Sequence, residues 1–268
     1  MKKLSHLSEI YNSYDTFIID LWGVMHNGIK LNKGAVEVVE KLNKYKKKIV
    51  FLSNAPRPSK QVVNFLKKMK FNEKFLNNVL TSGEAAIESI KSNKFGKSFF
   101  HLGPQRDESL FEDSKKNKTS IKDCDFILCT GLLEGHENDL KYYNGLLAEH
   151  VTKKFVCTNP DLVVHRGNIS EHCAGAVAEI FKSLGGEVIY FGKPHKEIYE
   201  IFLKKNEKAL AIGDNLNTDI KGANNLNIDS LFITNGIHKA EIQYDEELNN
   251  LLKSYNVNTK YFQEDLNW

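Results

Sequence analysis

Four apolar runs in this sequence each lead into side chains that can do acid, hydroxyl or ammonium chemistry. The runs are FIID, IVFLSN, VIYFGKP and ALAIGDNLNTD, and the side chains are Asp20, Ser53, Asn54, Lys193, Asp214 and Asp219. One acid after a strand is weak evidence, because such acids often cap helices or form turns. Open parallel sheets, however, place their ligand crevices at the carboxyl ends of strands. We therefore expect the four ends to meet at one site.

Gathered in one place, these side chains have the chemistry of phosphoryl transfer. Three carboxylates in a small volume repel one another unless a cation lies between them, and hard oxygen ligands favour Mg²⁺. The Ser53 hydroxyl and the Asn54 backbone amide can donate hydrogen bonds to a phosphoryl oxygen, and Lys193 adds a positive charge. Asp20 would attack phosphorus and form an aspartyl phosphate that water cleaves. Arg57, after SNAP, is a further candidate for binding the substrate phosphate.

Short apolar runs alternate with amphipathic stretches along the chain, which is typical of a parallel sheet covered by helices. The strand candidates are residues 16–20, 49–53, 78–81, 97–102, 125–130, 154–158, 187–191, 209–213 and 229–233. The helix candidates are residues 34–45, 59–69, 83–93, 137–150, 171–184, 196–205 and 218–226. The polar segment 114–121 indicates a surface loop. The predicted fold class is α/β, with a doubly wound, Rossmann-like parallel sheet.

The composition limits the class of protein. The chain has 268 residues, 41% apolar and 26% charged, which is ordinary for a globular protein. Its 37 basic and 34 acidic side chains leave a net charge of +3, so neither nucleic acid nor a membrane surface is indicated as a partner. No apolar run approaches the roughly 18 residues of a membrane span. The four cysteines lack CxxC spacing and no signal peptide is indicated, so we expect a cytoplasmic protein.

Taken in order, these motifs resemble those of the haloacid dehalogenase (HAD) superfamily. The matching residues are Asp20, Ser53-Asn54, the GKP of Lys193 and the GDNLNTD that contains Asp214 and Asp219. Three further stretches are similar to the class II branch, which contains NagD-type nucleotide phosphatases, p-nitrophenyl phosphatases and pyridoxal phosphate phosphatases. They are Gly23-Val24, TNPD at 158–161 and AGAVAEIFKSLGG at 174–186. The resemblance extends from about residue 14 to about residue 240.

The resemblance implies a Rossmann-like core split by an inserted α/β cap. The core would comprise residues 1–82 and 187–268, and the cap residues 83–186. It also implies that Mg²⁺ is held by Asp20, Asp214, Asp219 and the backbone carbonyl of Trp22. The substrate would be a small phosphorylated metabolite, selected by cap residues around 159–166. Relatives in this branch often pair through their caps, so a homodimer stays open.

Trp22 is the main departure from the family pattern, whose first motif reads Asp-x-Asp. The second Asp protonates the leaving oxygen, whereas an indole N–H does not titrate in water's range. Loss of such a group typically lowers the rate by about 10²–10⁴.

Three interpretations remain open. The protein is a phosphatase that favours good leaving groups or uses another proton carrier, with His26 as a candidate. Alternatively, it is a catalytically weak protein that binds or senses a phosphorylated ligand. The third is a dehalogenase-type hydrolase, which the retained acids Asp214 and Asp219 disfavour.

Other classes fit less well. Two-component receiver domains also combine an Asp nucleophile, Mg²⁺ and a lysine, but their paired acids follow the first strand, whereas here they come late. The sequence has no GxxxxGK[ST] and no GxGxxG after a strand. Its histidines lack the HxH or HExxH spacing of zinc sites. Asp161, in TNPD, is interpreted as a turn or substrate-side residue.

Overall fold

A computed structural model describes residues 1–167, 169–242 and 244–268. Its larger sheet has seven strands, all parallel, in the order β1-β13-β12-β11-β2-β3-β4. Their bounds are β1 Lys2–Lys3, β2 Thr16–Ile19, β3 Lys48–Ser53, β4 Val79–Thr81, β11 Ala209–Gly213, β12 Asp229–Ile233 and β13 Tyr261–Gln263. Strands β2 and β11 are buried along their whole length. This burial accounts for their continuous apolar sequences.

A smaller sheet is formed by the chain between β4 and β11. It has four parallel strands in the order β10-β7-β6-β5. Their bounds are β5 Phe99–Leu102, β6 Phe126–Cys129, β7 Lys154–Cys157 and β10 Val188–Tyr190. Strands β8 Val163–Arg166 and β9 Ile169–His172 pair antiparallel as a separate hairpin.

Helices cover both faces of the larger sheet. Phe17 and Ile19 of β2 pack in one apolar cluster with Val38, whereas Ile18 packs in another with Tyr199. The bounds are α1 Lys33–Lys44, α2 Ser59–Lys68, α3 Ser82–Lys91, α4 Leu140–Leu147, α5 Ala174–Ser183, α6 Lys196–Glu200, α7 Lys221–Asn225 and α8 Asp245–Ser254. Shorter 3₁₀ segments span Leu7–Glu9, Tyr11–Ser13, Glu73–Asn78, Gln105–Asn117, Ala148–His150 and Lys239–Glu241, and a π-helical turn spans Leu216–Ile220. The predicted doubly wound α/β fold is confirmed.

Most predicted elements are present, with informative exceptions. Each predicted strand lies within two residues of its predicted bounds. The helix predicted over 196–205 ends at Glu200, because the Phe202 amide bonds to the Tyr199 carbonyl and closes a tighter turn. The segment 114–121, predicted as a loop, begins inside the 3₁₀ segment Gln105–Asn117. Among the strands and α-helices, those that were not predicted are β1, β8, β9, β13 and α8. The helix predicted over 171–184 begins only at Ala174, because residues 171 and 172 pair in β9.

Sheet pairing bears on the predicted division of the chain. The core was predicted to resume at residue 187, but β10 pairs with β7, with Val188 opposite Phe155. The smaller sheet therefore extends to Tyr190, and the chain rejoins the larger sheet at β11. The assignment of these two parts as catalytic core and cap stays a prediction.

Two further sequence features have structural counterparts. All four cysteines are buried as free thiols. Among the described residues, no helix is both long and apolar enough to cross a membrane.

Candidate active site

Three adjacent strands of the larger sheet bring the acidic and hydroxyl residues to one edge. The strands β11, β2 and β3 are neighbours. Asp20 directly follows β2 and Ser53 ends β3. Asp214 directly follows β11, and the π-helical turn after it contains Asp219. All four side chains belong to buried residues.

A buried lysine bridges two of these acids. Lys193 Nζ donates to Asp20 Oδ1 at 2.5 Å and to Asp219 Oδ1 at 2.7 Å. Burial alone would lower the pKa of Lys193, but the carboxylates of Asp20 and Asp219 outweigh it and hold that pKa well above its ordinary value. The ammonium therefore stays charged inside the protein.

The acids form a cluster that fits a divalent cation. Oxygen atoms of Asp20, Asp214 and Asp219 lie within 4.8 Å of one another. Burial, together with the neighbouring Asp219 charge, raises the pKa of Asp214 to about 8. With Lys193 as the sole cation among them in the described part of the chain, the three acids do not all ionise at pH 7, and a second cation would let them do so. An all-oxygen donor set of this kind suits Mg²⁺.

Asn54 holds the backbone of Lys193. Its Oδ1 accepts from the Lys193 amide at 2.8 Å, and its Nδ2 donates to the Lys193 carbonyl at 3.1 Å. Gly192, with a φ of +111°, makes this approach feasible, because a Cβ there would lie 2.5 Å from Asn54 Oδ1. The Asn54 side chain thus positions the lysine, and its backbone amide is the group that we predicted to bind phosphate.

Arg57 does not join this cluster. Its Nε donates to Asp107 Oδ1 at 2.6 Å, and Asp107 lies in the 3₁₀ segment after β5. Arg57 lines a cavity of about 430 Å³ beside the one that contains Asp20. The predicted contact between Arg57 and the phosphate therefore has no direct support in the geometry.

Trp22 is engaged through its side chain. Its indole Nε1 donates to the His165 carbonyl at 2.7 Å, and the Arg166 guanidinium lies over its ring, 5.0 Å from the centroid. Both partners belong to β8. The one polar hydrogen of the indole is therefore already committed to a backbone acceptor.

His26, the sequence candidate for a proton carrier, is buried beside Trp22. Its Nδ1 accepts from the Gly28 amide at 3.0 Å. Burial lowers the pKa of His26 to about 4, and the nearby Arg166 charge adds to this. The ring is neutral at pH 7 and lines the smaller cavity, where Asp20 is absent from the wall. The geometry gives His26 no direct path to Asp20, the predicted nucleophile.

Two further residues lie at the wall of the site. Asp161 was interpreted from the sequence as a turn or substrate-side residue, whereas Asn215 was not predicted. Asp161 Oδ1 accepts from Asn54 Nδ2 and from Asn215 Nδ2, both at 3.3 Å. Burial raises the pKa of Asp161 to about 6, although Lys193 opposes the change. The position of Asn215 directly after Asp214 and the TNPD motif of Asp161 were the available signals.

The cluster opens into a cavity of about 850 Å³. Its wall includes the whole acid cluster, Lys193 and Ser53, together with residues of the β8–β9 hairpin. Trp22, Ser53, Asn54, Asp161 and Val164 line both this cavity and the smaller one. The cavity at Asp20 is therefore lined both by residues at the edge of the larger sheet and by the hairpin.

The fold and the site define an α/β protein whose acid cluster, at the carboxyl edge of a parallel sheet, fits a divalent cation. Family comparisons identify the group. Residues 17–115 match the model described as haloacid dehalogenase-like hydrolase, and residues 190–258 match the model described as HAD-hydrolase-like. The chain belongs to the haloacid dehalogenase-like hydrolases.

Individual proteins agree with this assignment. The ribonucleotide monophosphatase NagD of Escherichia coli K12 is 31% identical over 88 residues. That match covers 31% of this chain and 34% of NagD, so it spans about a third of the relative's length. A haloacid dehalogenase-like hydrolase from Brucella suis 1330 is 27% identical, with a TM-score of 0.86 over 98% of this chain and 99% of that one. A possible sugar phosphatase from Cytophaga hutchinsonii, 19% identical, has the same fold, with a TM-score of 0.79 over 99% and 98%.

Proposed function

We propose that this protein is a Mg²⁺-dependent phosphatase that hydrolyses a small phosphorylated metabolite through an aspartyl-phosphate intermediate on Asp20. The observation behind this proposal is the cluster of Asp20, Asp214 and Asp219, whose oxygens lie within 4.8 Å of one another, with Lys193 bonded to two of them. The family and its relatives named as phosphatases support the same reaction class.

The residues present fit the metal. The carboxylates of Asp20, Asp214 and Asp219 and the backbone carbonyl of Trp22 would hold Mg²⁺. Bound there, the ion would neutralise charge between the carboxylates and the phosphoryl oxygens. Asp214 is already oriented by the Ile237 amide, which donates to its Oδ2 at 2.7 Å.

The protein's own groups then perform the two displacement steps. A carboxylate oxygen of Asp20 bonds to phosphorus, and the bond from phosphorus to the leaving oxygen breaks, with its electron pair passing to that oxygen. Ser53 Oγ, the Asn54 amide and Lys193 Nζ bind the non-bridging oxygens. Water then attacks phosphorus, the bond to Asp20 breaks, and inorganic phosphate is released.

Trp22 limits the leaving groups that this site can serve. The indole cannot donate a proton to the leaving oxygen, because it does not titrate and its N–H is bonded to His165. We therefore expect a preference for substrates whose leaving oxygen is stable as an anion.

A protein that binds a phosphorylated ligand with little turnover is the second candidate. The same observation at Trp22 favours it, because the expected acid and base is missing. A dehalogenase is disfavoured by the three clustered acids. A cytoplasmic location is supported by the four free thiols, which fit a reducing compartment.

A screen over phosphate esters, with and without Mg²⁺, tests the proposal. We expect hydrolysis that requires Mg²⁺ and is abolished in Asp20→Asn. Asp15→Asn is the matched control, because Asp15 is an exposed acid just before β2. Binding of phosphate without hydrolysis of any ester would favour the sensor. Activity on 2-haloacids in the presence of a chelator would favour the dehalogenase.

A further inference from the structure

The β8–β9 hairpin lies against the loop that carries the nucleophile. That loop runs from Asp20 to Asn32, between β2 and α1. It contacts the hairpin through Trp22 and, separately, through Asn27, whose carbonyl accepts from the Gly167 amide at 3.2 Å. Two independent hydrogen bonds therefore join the loop to the end of the hairpin.

Trp22 makes the more extensive of these contacts. Its indole N–H donates to the His165 carbonyl at 2.7 Å, and Arg166 lies over its ring. Arg166 is itself held by Glu171 of β9, at 2.8 Å from Nε to Oε1. The indole is thus bound by one backbone acceptor and one oriented cation, and both belong to the hairpin.

The backbone on both sides is shaped around this contact. Gly28, with a φ of +82°, passes so close to Trp22 that a Cβ there would lie 2.6 Å from Cζ2. Gly167, with a φ of +61°, lies against Ile29, where a Cβ would be 3.0 Å from Cδ1. Each glycine has a conformation that other residues rarely adopt, so the fit is local and specific.

The contact stands at the wall of the substrate cavity. Trp22 lines both cavities, and the hairpin residues Val163, Val164, His165 and Gly167 line the one that contains Asp20. If the hairpin moved away from the loop, one side of this cavity would open to solvent.

We propose that Trp22 is a positioning residue, which holds the β8–β9 hairpin over the Asp20 cavity and so sets how tightly the phosphorylated substrate is held. Position 22, where the family pattern has the acid, is therefore where the hairpin attaches to the loop in this chain. The proposal rests on the proposed phosphatase function only in naming the ligand as substrate. The attachment itself is testable without turnover.

Amide exchange of the full-length protein, followed by NMR, is the first test. The reporter is the Gly167 amide, which bonds to Asn27 and not to Trp22. In Trp22→Phe a smaller aromatic ring replaces the indole and the N–H is lost, so we expect the Gly167 amide to exchange about two- to tenfold faster. Trp268→Phe is the matched control, because Trp268 is the chain's other tryptophan and packs on Tyr11 and Tyr45.

Arg166 supplies a second pair of variants in a folded protein with Trp22 intact. Arg166→Gln removes the cation over the ring and should also speed exchange at Gly167. Arg166→Lys keeps a cation and should restore most of the protection. Unchanged exchange in both Trp22→Phe and Arg166→Gln would overturn the proposal.

Steady-state kinetics connect the attachment to the substrate. With p-nitrophenyl phosphate and Mg²⁺, Trp22→Phe should raise KM by about three- to tenfold and change kcat by less than about twofold, because only the closed fraction binds productively. A fall in kcat alone would contradict a positioning role. Absence of turnover in the unmodified protein would refute the phosphatase, while the exchange result would still decide the attachment.

Discussion

At the scale of the residue, Trp22 distinguishes this chain from the family pattern that it resembles. An indole neither donates nor accepts a proton in catalysis, and here its N–H is bonded to the His165 carbonyl of the β8–β9 hairpin. The chemistry that we propose at Asp20, by contrast, depends on side chains that this chain retains. The proposed nucleophile and the missing general acid occupy different positions, so a substitution at position 22 addresses the acid alone.

Trp22→Asp should restore a proton donor for the leaving oxygen. Trp22→Asn is the matched control, because asparagine has the size of aspartate but does not titrate. Both variants lose the hydrogen bond to His165. We expect the Asp variant to hydrolyse alkyl phosphates at least about tenfold faster than the Asn variant, towards the roughly 10²–10⁴ that general acid catalysis supplies. With p-nitrophenyl phosphate, whose leaving group needs no proton, the two should be similar. Equal rates on alkyl phosphates would mean that another residue already supplies the proton.

The sequence allowed prediction of the residues that come directly after strands. Asp20, Ser53 and Asp214 were accessible in this way, because parallel strands deliver their carboxyl ends to one edge. The partner of Arg57 could not be predicted in this way. Asp107 lies 50 positions further along the chain, in the 3₁₀ segment that follows β5 of the smaller sheet. Pairing of that kind depends on packing between elements, which spacing does not report.

At the scale of the element, the turn after β10 connects the smaller sheet to the site. Gly192 has a φ of +111° and lies beside the Asn54 side chain, which bonds to both backbone groups of Lys193. The position of the lysine therefore depends on a backbone path that only glycine can follow without strain.

Gly192→Ala should lower the free energy of unfolding by about 1–3 kcal/mol, because its Cβ would meet Asn54 and its φ is unfavourable. It should also lower Mg²⁺-dependent hydrolysis more than tenfold by displacing Lys193. Gly145→Ala is the matched control, since Gly145 is exposed in α4 with nothing near a new Cβ. That change should raise the free energy of unfolding by about 0.5–1 kcal/mol. Urea unfolding measures the free energy of unfolding of both variants. Similar changes in Gly192→Ala and Gly145→Ala would contradict the account.

Two elements show the limit of the sequence pattern. The hairpin strands VVHR and ISEH are exposed or half-buried, so they lack the apolar run or clean alternation that predicts a strand. Strand β10 was predicted correctly, but its apolar run is the same whichever sheet it joins. Membership of the smaller sheet follows from its register with β7.

At the scale of the whole molecule, both sheets bury neutral histidines. His26 lies beside the larger sheet and His101 is in β5 of the smaller, and burial lowers the pKa of each to about 4. The unfolded chain takes up these protons near pH 6.5 and the folded protein only near pH 4. The contribution of these neutral histidines to the free energy of unfolding is therefore fully present above about pH 6.5, and it is lost as the pH drops towards 4.

His101→Gln should flatten this dependence. The glutamine can keep a hydrogen bond to Thr130, which His101 Nε2 contacts at 2.9 Å. Between pH 7 and 4.5, the variant should lose on the order of 2–3 kcal/mol less unfolding free energy than the unmodified protein. His6→Gln, at an exposed position, should leave the dependence unchanged. Parallel pH profiles for His101→Gln and the unmodified protein would show that His101 does not titrate between the two states as described.

The central claim is that Asp20 becomes phosphorylated during turnover. The most direct measurement begins by mixing the protein with Mg²⁺ and a phosphate ester that it hydrolyses. The reaction is then quenched rapidly with acid. Borohydride reduction follows, which converts an aspartyl phosphate to homoserine, and mass spectrometry then locates the product in a peptide. We predict homoserine at position 20, dependent on Mg²⁺ and absent in Asp20→Asn. Phosphate release with Asp20 unmodified throughout, or with the modification at another residue, would contradict the account.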